Sequence, residues 1–568
     1  MKLIKNKKLF YPIVLGILTI VGFLLRLNNI GIKLSSDELA TVVTASQSFP
    51  YGITDALMTK NMHAPLFYYI LHFWMKIFGN GLCVVRIPAL IFGTLCIPVG
   101  YLCGKSLRSR WTGIIIAAIT TFTPFLINYS HFCKFFSLLS LLGFLSVYCL
   151  INFHRKQKAF YLVLLGITNI LIAASYVVGF VFVGAQAICY ILFLFISKAG
   201  RKKVVNFIYY CLGYLIFSSP VLYYSYKIAI ATQGNNFPSF WWYTFNWKQI
   251  VSVVFSPFSA GLPAQFDFRE GNAICIYGDA GLCSMLAFNV IPFLIITLGL
   301  KKALFQKTLN KYLLSAIASC VAMFSFIVLI AAIMGKFSFC SRNFMLVIPS
   351  VIILAGYGMS LYKLKRFAIY GLVFLALAPA AYRVSTLPKA VLPGISGVYE
   401  AVSYLDELKP KANDVVIVPY RGYYLKYLYS RKDVKILSYD INYATKVDKE
   451  NIMSKLIDED LVDYTKTAPE ERYKKYYTSL NISKPYKKYL DKEALDNLSP
   501  ENRVYIVTFG IRDFKDMIEN PISYDRLSTF TWILAKVEYD TRRILWEENF
   551  KLVAKKRNLA TTVWVYQK

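Results

Sequence analysis

The adjacent acidic residues Asp37 and Glu38 are the first side chains in this sequence whose type and position suggest chemistry. Only six of the 32 acidic residues precede residue 387, and the other four are Asp55, Asp267, Glu270 and Asp279. A carboxylate close to a long apolar run has a desolvation cost and is usually retained for pairing, metal binding or catalysis. Solvation in a loop accounts for the other four acids, whereas Asp37 and Glu38 follow the first apolar run by about ten residues. We therefore expect this pair to be functional.

Basic residues stand at the beginning of three later apolar runs, namely Arg86, Lys134 and Arg342. His63 and His131 lie near two of them in sequence. Positive charge at this end of the apolar runs suits an anionic partner such as a lipid phosphate. Contact with lipid headgroups by a long side chain explains any single one of them equally well. Three such cations opposite an acidic pair favour a binding site.

The elements that position these residues must be membrane helices. The chain has 568 residues, of which 56% are hydrophobic and 16% aromatic, and its uncharged stretches include Tyr11 to Leu25 and Leu313 to Met334. Runs of about 20 apolar residues cross a lipid bilayer as helices. The net charge of +32 falls in short clusters between those runs, which indicates membrane topology and argues against nucleic-acid binding.

Eleven apolar runs are predicted to be transmembrane helices, with the first retained as an uncleaved helix. They cover residues 9–27, 84–103, 112–129, 135–153, 160–177, 179–197, 206–226, 284–300, 312–334, 343–361 and 367–384. Every second connection is rich in Lys and Arg, beginning with the amino terminus, and basic loops stay on the cytoplasmic side. The sequence thus predicts a plasma (inner) membrane protein with a cytoplasmic amino terminus. Large outer loops at 28–83 and 227–283, and all residues after about 387, lie outside.

The composition changes after Tyr382, where most of the acidic residues appear. A helix at 398–408 and strands at 415–418, 434–437, 504–508 and 562–566 predict a small α/β domain. The predicted fold class is therefore an all-α polytopic membrane domain, residues 1–386, followed by an extracytoplasmic α/β domain, residues 387–568. No phosphate-binding or metal-binding motif occurs in the second domain. A disulfide between Cys275 and Cys283, in the long outer loop, is left open by the sequence.

Three segments together resemble the polyprenyl-phosphate-sugar-dependent glycosyltransferases of the GT-C superfamily. They are Asp37-Glu38, the stretch from His63-Ala-Pro to Gly79, and Val85-Arg86-Ile-Pro88 to Gly93, with a later element at Ser341-Arg342 to Pro349. The most similar groups are the protein O-mannosyltransferases and the bacterial aminoarabinose transferase of lipid A. The first three segments lie in order within about the first 140 residues and are specific only in combination.

The resemblance implies a role for each of these residues. Asp37 would handle the acceptor nucleophile and Glu38 would support it, in some members together with a divalent cation. Arg86, Lys134 and Arg342 would contact the lipid phosphate.

One position departs from the pattern. Many bacterial members carry Tyr-Ser-Gln-Glu-x-Arg before the fourth span, where this chain has Phe132 for the Glu and Lys134 for the Arg. The missing carboxylate puts a shared metal site in doubt. His131 or an acid of the long loop remains as a substitute.

The leading functional hypothesis is a glycosyltransferase that moves a sugar from a polyprenyl monophosphate to an extracytoplasmic acceptor, which is a lipid, glycan or protein, with inversion. A transporter or lipid flippase is the alternative of another class, although repeated halves and charges near the membrane midplane, which are typical of transporters, are not evident. A ligase or polymerase of lipid-linked glycans would differ in using a diphosphate-linked donor.

Overall fold

The computed structural model describes residues 7–28, 30–58, 63–197, 200–234, 250, 253–254, 256–258, 291–305, 311–334, 340–362, 366–386, 393–418, 422–431, 433–438, 498–509, 541–542, 544–557 and 561–568. Most of the predicted outer loop 227–283, with Cys275 and Cys283, lies outside these residues. The chain divides into two compact units, which we call the membrane unit and the sheet unit. The membrane unit comprises Met1–Ile32, Thr44–Gly234 and Trp242–Ala390, and the sheet unit comprises Lys33–Val43, Asn235–Trp241 and Val391–Lys568.

Helices dominate the described residues. In chain order they are α1 Lys7–Leu27, α2 Ser36–Ala45, α3 Tyr51–Ala56, α4 Leu66–Phe78, α5 Ile87–Leu107, α6 Arg110–Phe122, α7 Pro124–Ser130, α8 Phe136–Lys156, α9 Ala159–Ser175, α10 Gly179–Ile196, α11 Arg201–Gly234, α12 Ile291–Leu304, α13 Lys311–Ile333, α14 Ile348–Met359, α15 Arg366–Thr386, α16 Pro393–Leu408 and α17 Gly422–Leu428. Short 3₁₀ turns at Val84–Arg86 and Ser341–Phe344 precede α5 and α14.

Each of the eleven predicted apolar runs coincides with one of these helices or with a bent pair of them. Within the described residues, seven helices are long and apolar enough to cross a membrane unaided, and the pair α6 and α7 makes an eighth. α9 and α14 are apolar but shorter, as is α12 with 14 residues. The chain is therefore a multi-pass membrane protein. The predicted first outer loop also carries helices of its own, α2 to α4.

A sharp bend separates α6 from α7. The two helices meet at 57°, and the residue between them, Thr123, has an extended backbone with ψ of 114°. Pro124 causes the break because it lacks an N–H and disfavours helical geometry in the residue before it. The bend redirects the chain toward the turn that leads into α8.

A buried polar network links four helices in the interior of the membrane unit. The Ser146 hydroxyl of α8 donates to the Asn169 side chain of α9 at 2.8 Å, and Asn169 donates to Gln186 of α10 at 3.0 Å and to Tyr210 of α11 at 2.6 Å. Such networks fix the register of neighbouring membrane helices, where apolar contact alone specifies little.

Replacing Asn169 with Leu is expected to lower the free energy of unfolding by about 1–3 kcal/mol, because Ser146, Gln186 and Tyr210 each lose a hydrogen bond to its side chain. Thr168→Val is the matched control, since within the described part of the chain the Thr168 hydroxyl bonds only to Leu164 O of its own helix, at 2.7 Å. Thermal unfolding in detergent measures both variants. Equal stability of Asn169→Leu and the wild type would show that the network contributes nothing.

The sheet unit contains a five-stranded sheet in the order β2-β1-β3-β5-β4. Its strands are β1 Val415–Val418, β2 Lys435–Ser438, β3 Arg503–Phe509, β4 Lys551–Arg557 and β5 Thr561–Gln567. β1 pairs in parallel with β2 and β3, whereas β5 pairs antiparallel with β3 and β4. The four predicted strands are confirmed. β4 was not predicted, because it is an edge strand rich in Lys and Arg with no buried face.

Buried Asp414, at the start of β1, links this strand to the start of β3. Its carboxylate accepts from the backbone N–H of Arg503, at the start of β3, at 2.9 Å and from that of Lys411 at 2.7 Å. Two main-chain donors satisfy the charge away from water. Asp414 thus has a structural role.

Candidate functional site

The acidic pair begins helix α2 in the sheet unit. Ser35 caps the helix, and the Glu38 carboxylate accepts from both the backbone N–H and the hydroxyl of Ser35 at 2.9 Å. The Glu38 N–H faces the Ser35 hydroxyl in return at 3.4 Å. This reciprocal arrangement is a capping box, in which both side chains satisfy helix-end donors. Glu38 is 1% exposed, so the structure gives it a role in holding the first turn.

Asp37 occupies the second position of the same helix and is half-buried. Its backbone carbonyl accepts from the Thr41 hydroxyl at 2.7 Å. The positive end of the helix dipole stabilises an ionised carboxylate in a first turn. The cap made by Glu38 fixes the backbone that carries Asp37. A residue that accepts a proton from a substrate requires such a fixed position.

The segment just before α2 is anchored inside the sheet unit. The N–H of Leu34 donates to the Tyr399 hydroxyl on α16 at 3.2 Å, and the ammonium of Lys33 lies 5.5 Å from the centre of the same ring. Residues 33–43 therefore fold with the carboxy-terminal unit, although about 350 residues separate them from it in sequence.

Arg86 of the membrane unit is fully buried in the 3₁₀ turn before α5. Its Nη1 donates to the carbonyl of Ile30 at 2.8 Å and also to that of Ile32. These bonds hold the chain just after α1. The predicted phosphate contact is thus a residue that also fixes the start of the first outer segment.

The turn from His131 to Lys134 lies between α7 and α8 and is buried throughout. The Cys133 thiol contacts the carbonyl of Val85 at 3.0 Å, and His131 Nε2 contacts the carbonyl of Leu25 at 3.3 Å. The turn is therefore held next to the residue that precedes Arg86. Phe132 is 2% exposed and packs on Tyr129 and Phe136, so the position at which the resemblance implies a Glu belongs to the aromatic core.

A chain of aromatic contacts connects the remaining predicted residues. Phe135 follows Lys134 directly, lies 5.3 Å from the His63 ring and stacks on Tyr176 at 5.4 Å. The Tyr176 hydroxyl donates to the side chain of Asn343, the neighbour of Arg342, at 2.7 Å. His63, Lys134 and Arg342 are thus brought around one aromatic pair, although almost 280 residues separate the first from the last.

Tyr176 and Asn343 were missed by the sequence analysis. Tyr176 follows the last residue of α9, and a Tyr at the end of an apolar run is usually an interfacial anchor. Nothing local distinguishes it from the other 41 tyrosines. Its hydrogen bond to the residue beside Arg342 depends on long-range packing.

The membrane unit is strongly basic around this region. Its described residues contain a single acidic side chain, the exposed Asp55. A site formed from them therefore suits an anion. Among the residues that the structure describes, no three His, Cys, Asp or Glu side chains are grouped so that they could hold a metal ion.

Part of the membrane unit matches a known family model. Residues 62–224 match the model of the family described as dolichyl-phosphate-mannose-protein mannosyltransferase. That segment contains His63, Arg86, His131 and Lys134. A search of curated protein sequences gave no significant match.

Solved structures share the fold at low sequence identity. Apo ArnT from Cupriavidus metallidurans matches with a TM-score of 0.53 and 10% identity, over 99% of this chain and 98% of that protein. The same protein bound to undecaprenyl phosphate matches with a TM-score of 0.51 and 10% identity over the same shares. The archaeal oligosaccharyltransferase AglB from Archaeoglobus fulgidus, in complex with an inhibitory peptide and a dolichol-phosphate, matches at 0.50 and 13% identity, over 90% of this chain and 70% of that one. The predicted GT-C fold is confirmed, and so is the resemblance to this group of proteins.

Proposed function

We propose that this membrane protein of GT-C fold is a glycosyltransferase that moves a sugar from a polyprenyl monophosphate to an acceptor outside the plasma membrane. The main support is the family-model match over residues 62–224, which contains four of the five predicted substrate-binding residues and no acidic residue. The matched ArnT structure is bound to undecaprenyl phosphate. A cytoplasmic amino terminus and an extracytoplasmic sheet unit follow from the basic loops.

The proposed reaction is one in-line displacement. The acceptor hydroxyl attacks the anomeric carbon, the bond from that carbon to the phosphate oxygen breaks, and the polyprenyl phosphate leaves with the electron pair. Asp37 accepts the proton of the hydroxyl. Arg86, Lys134 and Arg342 stabilise the charge that develops on the phosphate, and His63 and His131 contact the substrate. A single displacement inverts the anomeric centre.

The proposed mechanism assigns no metal ligand among the described residues, because no grouped set of donors is present there. A divalent-cation requirement stays a prediction. Activity measured in EDTA and after addition of Mg²⁺ or Mn²⁺ tests it.

The experiment that tests the function is transfer by purified protein in nanodiscs. We expect release of polyprenyl phosphate and an acceptor-dependent glycan product when a panel of polyprenyl-monophosphate sugars is supplied with the cell-envelope fraction. Diphosphate-linked donors form a second arm, which tests the alternative of a ligase or polymerase of lipid-linked glycans. Lipid-linked sugar that crosses the bilayer without being transferred would contradict the proposal and indicate a flippase.

A further inference from the structure

Arg26 is a buried cation of the membrane unit that the proposed mechanism does not use. It lies near the end of α1 and is fully buried. Nη1 donates to Gly22 O in its own helix at 2.9 Å and to Thr121 O at 3.4 Å, whereas Nη2 donates to Thr120 O at 3.2 Å. Nε donates to the Ser130 hydroxyl at 3.2 Å. One guanidinium therefore joins α1 to both arms of the bent pair α6 and α7.

Two of the three carbonyls that Arg26 binds, Thr120 O and Thr121 O, belong to the end of α6 that the bend interrupts. The last four carbonyls of a helix have no partner within it, and α6 ends at Phe122. In a continuous helix, Thr120 O would accept from the N–H of residue 124, which is Pro124 and has none. A cation at this end of a helix also meets the negative end of its dipole. Arg26 thus supplies the donors that a broken membrane helix needs.

Two glycines make room for this contact. A Cβ on Gly93 of α5 would collide with the Ser130 side chain and lie 3.4 Å from Arg26 Nε. A Cβ on Gly22 would meet Ile97 and Arg26 Nη1. The close approach of α1, α5 and α7 around the guanidinium therefore depends on small residues.

The contact leads directly to the candidate site. Ser130 precedes His131, and His131 Nε2 contacts the carbonyl of Leu25, the residue before Arg26. We propose that Arg26 is a positioning residue that holds the α6–α7 bend and, through Ser130, the turn from His131 to Lys134. What the turn binds rests on the proposed function, whereas the placement of the turn does not.

The first test uses Arg26→Met and Arg26→Lys in purified protein, with undecaprenyl phosphate as the probe. Affinity is expected to fall about tenfold in Arg26→Met, because one charge-assisted contact of the turn is misplaced. Arg26→Lys is expected to recover part of it. In transfer assays the donor KM rises and the acceptor KM does not. A folded Arg26→Met protein with wild-type affinity and donor KM would overturn the proposal.

A readout independent of activity is maleimide labelling of Cys133, which is fully buried in the turn. Labelling of its peptide, measured by mass spectrometry, should accelerate in Arg26→Met, whereas labelling of buried Cys149 on α8 should not. Faster Cys133 labelling in a protein that binds no polyprenyl phosphate would support the positioning role and count against the proposed function. Unchanged labelling would overturn the positioning role.

A double variant separates positioning from stability. Pro124→Ala restores an N–H for Thr120 O and allows α6 to continue, so Arg26→Met with Pro124→Ala should regain thermal stability without regaining undecaprenyl phosphate affinity. Recovery of both would show that Arg26 acts only as a stabiliser. Gly93→Ala should reproduce the Arg26→Met phenotype. Gly16→Ala, on a part of α1 where a Cβ meets open space, is the matched control.

Discussion

Asp37→Asn is expected to reduce the rate of sugar transfer by about 100- to 10,000-fold, the usual contribution of a positioned proton acceptor. The amide keeps the size of the side chain and its place in the first turn of α2, but it cannot accept the proton of the acceptor hydroxyl. Single-turnover transfer from a polyprenyl-phosphate sugar measures the effect. Undecaprenyl phosphate affinity should stay unchanged, because Asp37 is not assigned to the phosphate.

Two other acids of the amino-terminal region provide the controls for Asp37. Asp55→Asn changes an exposed carboxylate of the same amino-terminal region and should leave the rate unchanged. Glu38→Gln weakens the capping box with Ser35, so its main effect should be on stability, by about 0.5–2 kcal/mol. Equal losses of activity in Asp37→Asn and Asp55→Asn, or no loss in Asp37→Asn, would refute the catalytic assignment.

Lys134→Met is expected to lower kcat by about 100- to 1,000-fold, as happens when one group that stabilises a developing oxyanion is removed. Lys134 is 6% exposed, and Met fills a similar volume without the charge. Donor affinity should weaken as well, because in the proposed mechanism the charge also contacts the phosphate of the bound donor. Steady-state transfer with the donor varied separates kcat from KM.

Lys134→Arg tests the same position with its charge retained, and it installs the residue that the resemblance implies there. We expect activity within about tenfold of the wild type, a loss of at most one charge-assisted contact. Lys156→Met is the matched control, because Lys156 is the exposed last residue of α8, the helix that Lys134 precedes. It lies about 30 Å along the helix from the turn. A similar loss in Lys134→Met and Lys156→Met would contradict a specific phosphate contact.

The apolar runs and the strands were predictable because their signals are local. Residues that face lipid or a sheet core must be apolar over a whole element, so hydropathy and alternation mark them in the sequence. The sequence failed at β4, whose exposed residues Lys551–Arg557 carry no such pattern. The bend at Pro124 has a local signal, because a proline inside an apolar run predicts a break in the helix.

The candidate residues were predictable only as a set of unusual charges. Asp37, Arg86, Lys134 and Arg342 stand out because charges are rare near apolar runs. The capping role of Glu38 can be predicted from the sequence, since Ser35 precedes it by three residues in the capping-box pattern. The sequence does not predict that His63, Phe135, Tyr176 and Asn343 lie together, because each contact depends on how helices pack.

The sequence by itself determined that this protein crosses a membrane repeatedly, carries an α/β unit at its carboxy terminus and has its chemically suggestive residues next to apolar runs. Solvation is the reason, because burial in lipid constrains the composition of every element separately. Only the tertiary structure decided that residues 33–43 fold with the sheet unit and that Phe132 belongs to the core. It also decided that Arg26 caps the broken helix of Thr120 and Thr121. Those facts depend on contacts between residues that are far apart in sequence. The α6 carbonyls that Arg26 binds, for example, lie about a hundred residues away from it, and no local sequence pattern encodes such a hydrogen bond.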